Sequence, residues 1–372
     1  MPTYNNERTL ERVLKGILEQ VPASRVIVVN DGSTDETASI LNTYSDALTL
    51  LENNPNAGKG MALRKGFRYA IEKGFDYAIT IDSDGQHYPE DIPKMIAACV
   101  ASPNTVLMGS RNMEQEGVPQ KSSFGNKFSN FWFKVETWIT LPDTQTGFRV
   151  YPLKPMSKMR LLSRKFELEI EVIVRLAWKN VPFKPVPIRV KYDPEERVSH
   201  FRPGPDFFRI SVLNSLLVLI ALLYYYPKKF LSLNTLKVIR DEAVKPEESN
   251  LSKALSLGFG VFMGIVPIWG FQLMLGIPLA IFFRMNKVLF IAAANISFPP
   301  MIPLILYASY WLGQLIVTGE INHSLLEELS LDNVGQSVTP FVVGSMSLAT
   351  GAGLAIFTIS YALLKLFRKE PK

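Results

Sequence analysis

The stretch Thr80-Ile81-Asp82-Ser83-Asp84-Gly85-Gln86-His87 sets two carboxylates two residues apart. It follows an apolar run, Phe75 to Ile81, that reads as a buried parallel strand. Side chains at i and i+2 of an extended backbone share a face. Asp82 and Asp84 therefore reach toward one ligand at the carboxyl end of a sheet, where open α/β folds bind ligands. A hard divalent cation shared with a diphosphate needs such a pair, because one or two carboxylates, phosphate oxygens and water complete its shell. A solvated Asp-rich turn would spell the same residues, so the neighbouring segments decide.

An earlier stretch repeats the design. Arg25-Val26-Ile27-Val28-Val29-Asn30 is rich in β-branched residues and runs into Asp31-Gly32-Ser33-Thr34-Asp35-Glu36-Thr37. Gly32 permits a tight turn, and Ser33 with Glu36 has the capping-box spacing of a helix start. This spells strand, sharp turn and helix, with Asp31 placed to accept hydrogen bonds from a base or ribose. A plain helix cap is the alternative. A third piece, Asn53-Asn54-Pro55-Asn56-Ala57-Gly58-Lys59-Gly60-Met61-Ala62, leads into a helical pattern through Ala70. A glycine-rich helix entry suits an anion. It is not a Walker loop, because Gly60 and Met61 follow Lys59 where Ser or Thr is needed.

Together these segments resemble the family 2 glycosyltransferases, most closely the branch with dolichol-phosphate mannose and glucose synthases. The matching residues are Pro2-Thr3-Tyr4-Asn5-Asn6-Glu7, Val29 to Asp35, Asn56 to Gly60, Asp82 to His87, Gly109-Ser110-Arg111 and Asp143-Thr144-Gln145-Thr146-Gly147-Phe148-Arg149. The resemblance spans roughly residues 1 to 205. It implies an α/β, GT-A nucleotide-sugar-binding domain with a Rossmann-like mixed sheet. It casts Pro2, Tyr4, Glu7, Asp31, Lys59, Asp82 and Arg111 as donor-binding residues. Asp82, Asp84 and Gln86 become the ligands of a Mg2+ or Mn2+ cofactor. Asp84, Asp143 and Arg149 become catalytic, and Gln145 lies near the acceptor phosphate. One departure stands out: the apolar strand that usually precedes the Pro-x-Tyr-Asn motif is missing, since the motif begins at residue 2. The expectation is that the recorded start lies downstream of the true one.

Transfer from a nucleotide diphosphate needs a stabilised leaving group, which a metal serves as Lewis acid and template. A lipid phosphate acceptor is already an anion near neutral pH and needs no base. A hydroxyl acceptor needs a carboxylate to take its proton. Asp143 is then the candidate, with Glu169 and Glu171 as outsiders; Glu167, Glu169 and Glu171 otherwise read as a polar helix face. The resemblance implies single displacement with inversion.

Composition bounds the rest. The chain has 372 residues, room for two or three domains. Hydrophobic residues make up 47%, high for a soluble enzyme, and the net charge of +6 is modest, without an aromatic-basic pattern suited to nucleic acid. The single cysteine, Cys99, excludes an internal disulfide and a cysteine-based zinc site. His87, His200 and His323 are scattered and form no ligand cluster, and no signal peptide is visible.

The character of the chain changes near residue 210. Ile210 to Pro227, Leu255 to Phe283, Val288 to Val317 and Pro340 to Leu364 are uncharged or nearly so. A membrane span needs about 20 largely apolar residues; the last three qualify and the first is borderline. Pro267, Pro278, Pro299, Pro300 and Pro303 interrupt the middle two, and Gly260 with Gly264 has the spacing of close helix packing. The basic tail from Lys365 to Lys369 and the Arg284 to Lys287 link point inward, and the acidic Thr318 to Thr339 loop points outward. Four spans would then put Lys228 to Ser252 outside despite its lysines. If that segment is inside, Leu255 to Phe283 is a re-entrant hairpin. From about residue 250, Gly260 to Gly264, Pro267, Gly270, Gln272 and Asn295 to Pro300 resemble a membrane-domain family of unknown function. Gln272 and Asn295 read as a site or as helix-to-helix hydrogen bonds.

Between the halves, the segment Ile188 to Pro203 resembles the loop that lies over the active site of polyprenyl-phosphate sugar synthases. By that resemblance Arg197, His200 and Arg202 face the acceptor phosphate; a generic basic collar at the membrane surface is the alternative. The expected layout is a catalytic domain at 1–205, a juxtamembrane helix and linker at 206–250 and a helical membrane domain at 251–372. The expected function is metal-dependent transfer of a sugar from a nucleotide-diphosphate sugar to a membrane lipid, polyprenyl phosphate. The protein is then integral to the cytoplasmic membrane, with the catalytic domain in the cytosol. The rivals are transfer to another lipid or glycan hydroxyl, and a lipid transporter or scaffold whose soluble domain only binds.

Overall fold

The computed structural model describes residues 1–112, 120–191, 200–230, 232–268, 270–298, 301–319 and 334–368. The chain divides into two units, Met1–Ala221 and Leu222–Lys372. The first runs β1 (Pro2–Thr3), α1 (Leu10–Gln20), β2 (Ile27–Asn30), α2 (Thr37–Asn42), β3 (Thr49–Glu52), α3 (Lys59–Glu72), β4 (Tyr77–Thr80) and α4 (Ile92–Ala101). It continues through β5 (Val106–Arg111), α5 (Gln120–Thr137), β6 (Arg149–Pro152), α6 (Leu153–Met156), α7 (Leu168–Trp178), β7 (Phe183–Ile188) and α8 (Pro203–Ile220). β1, β2 and β3 pair in parallel. The other strands lie in the order β4-β6-β5-β7, with β6 antiparallel to both neighbours. The result is the expected α/β domain with a mixed sheet.

Two apolar clusters sandwich these strands, following the two-residue period of β5. Leu107 packs with Leu10, Val13, Leu14 and Ile17, which recur at helical spacing along α1. Val106 and Met108 pack with Phe67 of α3, Phe133 of α5 and Leu168, Val172 and Leu176 of α7. Each such fully buried side chain contributes about 2 kcal/mol.

Three details differ from expectation. β1 is present as two residues, and its pairing extends back to Met1, whose backbone nitrogen donates to Ile27 O at 2.8 Å. An apolar cavity of about 400 Å³, lined by Met1, Ile27, Val29, Phe67, Ala78 and Ile79 among others, lies between β2 and β4. The capping box does not form. α2 starts at Thr37 without a side-chain cap, and Ser33 Oγ instead accepts from Asn5 N at 3.0 Å. The strand ahead of Asp82 ends at Thr80, so Asp82 and Asp84 lie past the strand, with Asp84 in a bend, and not on an extended run.

The second unit is helical: α9 (Tyr226–Phe230), α10 (Leu233–Val244), α11 (Asn250–Ile265), α12 (Gln272–Phe282), α13 (Lys287–Ala294), α14 (Ile302–Thr318) and α15 (Val334–Phe367). Among the described residues, two helices are long and apolar enough to cross a membrane, Pro203–Phe230 and Val338–Phe367. The first, borderline by composition, is thus long enough. Leu255 to Phe283 is not one span. It breaks into α11 and α12 at Pro267 and at Gly270, whose φ of +85° suits only glycine readily. Lys287–Ser297 and Ile302–Thr318 meet at a 77° bend. Gly260 and Gly264 do let helices approach: a Cβ there would stand 2.6 Å from Phe290 O and 2.7 Å from Ala294 O of α13. Gln272 Nε2 reaches Ser297 Oγ at 3.3 Å, a bond between helices, whereas Asn295 Nδ2 donates within its own helix to Ile291 O at 2.7 Å.

One end of this unit is tied by buried polar groups. Lys253 Nζ donates to Glu242 O, Ala243 O and Lys245 O at 2.6–2.8 Å, closing the carboxyl end of α10. Asn286 Nδ2 donates to Glu242 Oε1 and Glu248 Oε2, and Arg368 to Lys245 O and Glu248 O. The 242–250 segment, the Arg284–Lys287 link and Arg368 therefore share one end. Within this unit α11 with α12 forms a hairpin returning to its starting end, where Ser252 Oγ donates to Arg284 O at 3.3 Å.

Candidate active site

The site forms where three loops leave the carboxyl ends of β1, β2 and β4. Asp31, 2% exposed, follows β2; its Oδ1 accepts from Asn53 Nδ2 (2.8 Å) and Ala57 N (3.1 Å), and its Oδ2 from Gly58 N (2.7 Å). One carboxylate thus shapes the loop that delivers Lys59 to the first turn of α3. Gly32, at φ +72°, is required there, because a Cβ would stand 2.7 Å from Asn56 N. The β1 loop is pinned to the β4 loop: Asn6 Nδ2 donates to Ser83 Oγ and Thr9 Oγ1 to Ser83 O, both at 2.7 Å. Ser83 is thereby fixed between Asp82 and Asp84.

Pro2, Tyr4, Asp31, Lys59, Asp82, Asp84, His200 and Arg202 all line one cavity of about 580 Å³. His200 meets Tyr4 edge-on with centroids 5.1 Å apart, so it stands on the side expected to hold the donor. Phe201 packs against Phe166 at 5.6 Å. Lys165, Phe166, Asn56 and Asp206 also line the cavity. No periodicity or short motif marks Lys165 or Phe166, and only the fold brings them in. Arg197 lies outside the described residues.

Lys59 Nζ sits 2.8 Å from Asp82 Oδ1 and 3.0 Å from Glu169 Oε2. Burial penalises the ammonium, but the two carboxylates outweigh it and hold the Lys59 pKa above its ordinary value. Burial likewise opposes ionisation of Asp82, yet Lys59, then His87 and Arg149, bring its pKa below the usual carboxylate range. Burial pushes His87 down to about 4, against Asp82 and with help from Arg111 and Lys59. His87 is therefore neutral at pH 7.

Several expected site residues are elsewhere. Glu7 is exposed and its Oε2 accepts from Glu36 N at 3.1 Å, away from the cavity. Gln86 does not line it either; its backbone N–H donates to Asp84 Oδ1 at 3.1 Å. Gln145 is exposed and faces Gly125 of α5. Arg149 is 1% exposed, and its guanidinium donates to Thr146 O, Tyr151 Oη (2.9 Å), Glu169 O (2.8 Å) and Thr144 O (3.0 Å). It braces the floor of the site and adds positive potential without touching the cavity.

Asp143 also stands away from the cavity. It is fully buried and accepts from Arg111 Nε (2.6 Å), Arg111 Nη2 (3.0 Å), Asn126 Nδ2 (2.7 Å) and Gln145 N (3.0 Å). Both of its oxygens are engaged by buried donors, it does not line the cavity, and it holds Arg111 in place. Breaking one partner of a buried pair costs about 3–5 kcal/mol. Asp143→Ala should therefore lower thermal stability by that order, measured by thermal unfolding; an unchanged melting temperature would show that the buried pair with Arg111 does not hold the fold.

Residues 1–159 match the glycosyl transferase family 2 model, and residues 239–371 match DUF2062, an uncharacterized protein conserved in bacteria. The chain is 27% identical over 213 residues to the UDP-N-acetylglucosamine–dolichyl-phosphate N-acetylglucosaminyltransferase of Methanococcus voltae, covering 52% of this chain and 84% of that one. It is 26% identical over 197 residues to the undecaprenyl-phosphate mannosyltransferase of Micrococcus luteus, covering 50% and 80%. Glucosyl-3-phosphoglycerate synthase from Mycobacterium tuberculosis, a solved structure, is similar at 17% identity and a TM-score of 0.45, over 59% of this chain and 77% of that one. By these matches the chain is a glycosyltransferase, similar to glycosyl transferase family 2 over residues 1–159 and to DUF2062 over residues 239–371.

Proposed function

We propose that this enzyme transfers a sugar from a nucleotide-diphosphate sugar to polyprenyl phosphate at a membrane. The observation that carries the reading is one cavity lined both by Pro2, Tyr4 and Asp31 and by Lys59, Asp82 and Asp84. The first group suits a base and ribose, the second a diphosphate. The likeness to transferases named for dolichyl and undecaprenyl phosphate supports the acceptor. The burial of Asp143 favours this acceptor over a hydroxyl, because a phosphate oxygen attacks without giving up a proton. Its oxygen forms the bond to the anomeric carbon as the bond to the diphosphate breaks, in one inverting displacement.

Asp82 and Asp84 fit a Mg2+ or Mn2+ ion, being hard oxygen donors that line the same cavity. Among the described residues no three His, Cys, Asp or Glu could hold a metal unaided, which suits an ion arriving with the donor's own phosphate oxygens. Bound there, the ion would offset charge on the leaving diphosphate. Lys59 supplies a fixed ammonium beside it. We assign residues 1–205 to catalysis, 206–250 to a juxtamembrane helix and linker and 251–372 to the membrane domain. The tied end of the helical unit carries Lys245, Arg284, Lys287 and Arg368, which favours the cytosolic face of the cytoplasmic membrane.

The test incubates membranes holding the full chain with polyprenyl phosphate, Mg2+ or Mn2+ and a panel of labelled nucleotide sugars. Label should enter the organic phase with one donor and disappear on adding EDTA. No label with any donor, from protein that still binds nucleotide, would overturn the polyprenyl-phosphate acceptor.

A further inference from the structure

Glu169, in the first turn of α7, has no place on the cavity wall, yet its Oε2 lies 3.0 Å from Lys59 Nζ. Lys59 in turn faces Asp82 Oδ1 at 2.8 Å, and both of those residues line the cavity. The ammonium is therefore clamped between one carboxylate in front and one behind. The rear anchor is rigid. Arg149 Nη1 donates to Glu169 O at 2.8 Å from a fully buried position. The start of α3 is locked against the segment before α7: Met61 N donates to Arg164 O at 2.9 Å, and a Cβ on Gly60 would stand 2.5 Å from Lys165 O.

An incoming divalent cation competes with Lys59 for Asp82. An ammonium held by Asp82 alone keeps its grip on that carboxylate and resists the ion, whereas one with a second anchor can release it without leaving the site. We infer that Glu169 is a positioning residue: it retains the Lys59 ammonium while Asp82 turns to the cation, so that ammonium and cation flank the donor diphosphate together. This rests on the donor-site reading above. A carboxylate acting only through its charge would do less, and Glu169→Asp separates the two. It keeps the charge but is one methylene too short to span the gap to Lys59.

The measurement is Mn2+ binding to the full-length protein in detergent, read as loss of the free-ion EPR signal, with GDP and separately with UDP. Glu169→Gln and Glu169→Asp should each raise the Mn2+ concentration at half-saturation about fivefold to tenfold. Adding Lys59→Gln to Glu169→Gln should return it to within about twofold of wild type, because the competing ammonium is gone. A wild-type titration curve for Glu169→Asp, or no recovery in the double variant, would overturn the positioning role. Wild-type protein that binds no Mn2+ with either diphosphate would instead overturn the donor-site reading itself.

Discussion

Replacing Gly147 by alanine should reduce sugar transfer at least about a hundredfold, as severely as Asp84→Ala, while leaving the protein folded. Gly147 sits in the Asp143-to-Arg149 segment, just ahead of β6, and its missing side chain is where Asp82 lies. A Cβ there would stand 2.7 Å from Asp82 Cγ and 2.8 Å from Asp82 Oδ1. The carboxylate cannot simply step aside. Lys59 holds it in front at 2.8 Å, and the backbone of Gly147 is fixed because its carbonyl accepts from Thr80 Oγ1 at 2.7 Å. The methyl must therefore rotate Asp82 off Lys59 or push β6 from β4, and the first moves less structure. A displacement of about 1 Å at a reacting centre costs on the order of a hundredfold in rate. Gly66→Ala is the control, since its Cβ would meet only Val29 Cγ2 at 3.5 Å, an ordinary contact. Transfer assays on both variants, with thermal unfolding to check the fold, decide the matter; an active Gly147→Ala would show that Asp82 can turn without loss.

The contrast between Asp82 and Asp143 shows what a sequence can reveal about such a site. Asp31, Lys59, Asp82 and Asp84 were legible because each stands in a short local motif at the end of a strand, and strand ends are where this kind of sheet gathers ligands. Asp143, Arg149 and Gln145 lie in an equally recognisable motif, but their roles depend on partners far along the chain. Asp143 is paired to Arg111, 32 residues away, and Arg149 to a backbone carbonyl 20 residues on. Nothing local tells a buried structural charge from a catalytic one. Glu169 is the converse case: on its own helix it reads as part of a polar face, and only its distance to Lys59 gives it a role. In the helical unit, hydropathy located the apolar segments but not their course. Leu255 to Phe283 is long enough for a span, yet Pro267 and Gly270 turn it back, and the polar ties at Lys253, Asn286 and Arg368 decide which ends lie together.

Glu136→Leu should stabilise the protein on the alkaline side by roughly 3–5 kcal/mol and leave it unchanged near pH 4.5. Glu136 lies near the end of α5, fully buried, and neither carboxylate oxygen has a hydrogen-bond partner. Burial raises its pKa from 4.5 to about 8. In the folded chain the carboxyl then stays protonated to about pH 8, whereas the unfolded chain ionises near 4.5. The unfolded state loses its proton first, so stability falls as pH rises through that window. His87 works in the opposite sense. Its imidazole sits at about 4 when folded against 6.5 when free, so stability falls as pH drops between those values. Where the two windows overlap, between about 4.5 and 6.5, their slopes cancel and wild type should show a plateau. Above about 6.5 Glu136 continues to act, and wild type should lose about 2 kcal/mol relative to the leucine variant by pH 8. The leucine variant, which lacks this carboxyl, should therefore pull steadily away from wild type between about pH 4.5 and 8. Leucine has a similar volume and sacrifices no hydrogen bond, since the one contact at this residue, Trp178 Nε1 to Glu136 O at 2.8 Å, is to the backbone. Thermal unfolding of the detergent-solubilised full chain at pH 5, 6.5 and 8 reads this directly. Curves that run parallel for wild type and variant would mean that the carboxylate ionises alike in both states, and that its burial is relieved before the chain unfolds.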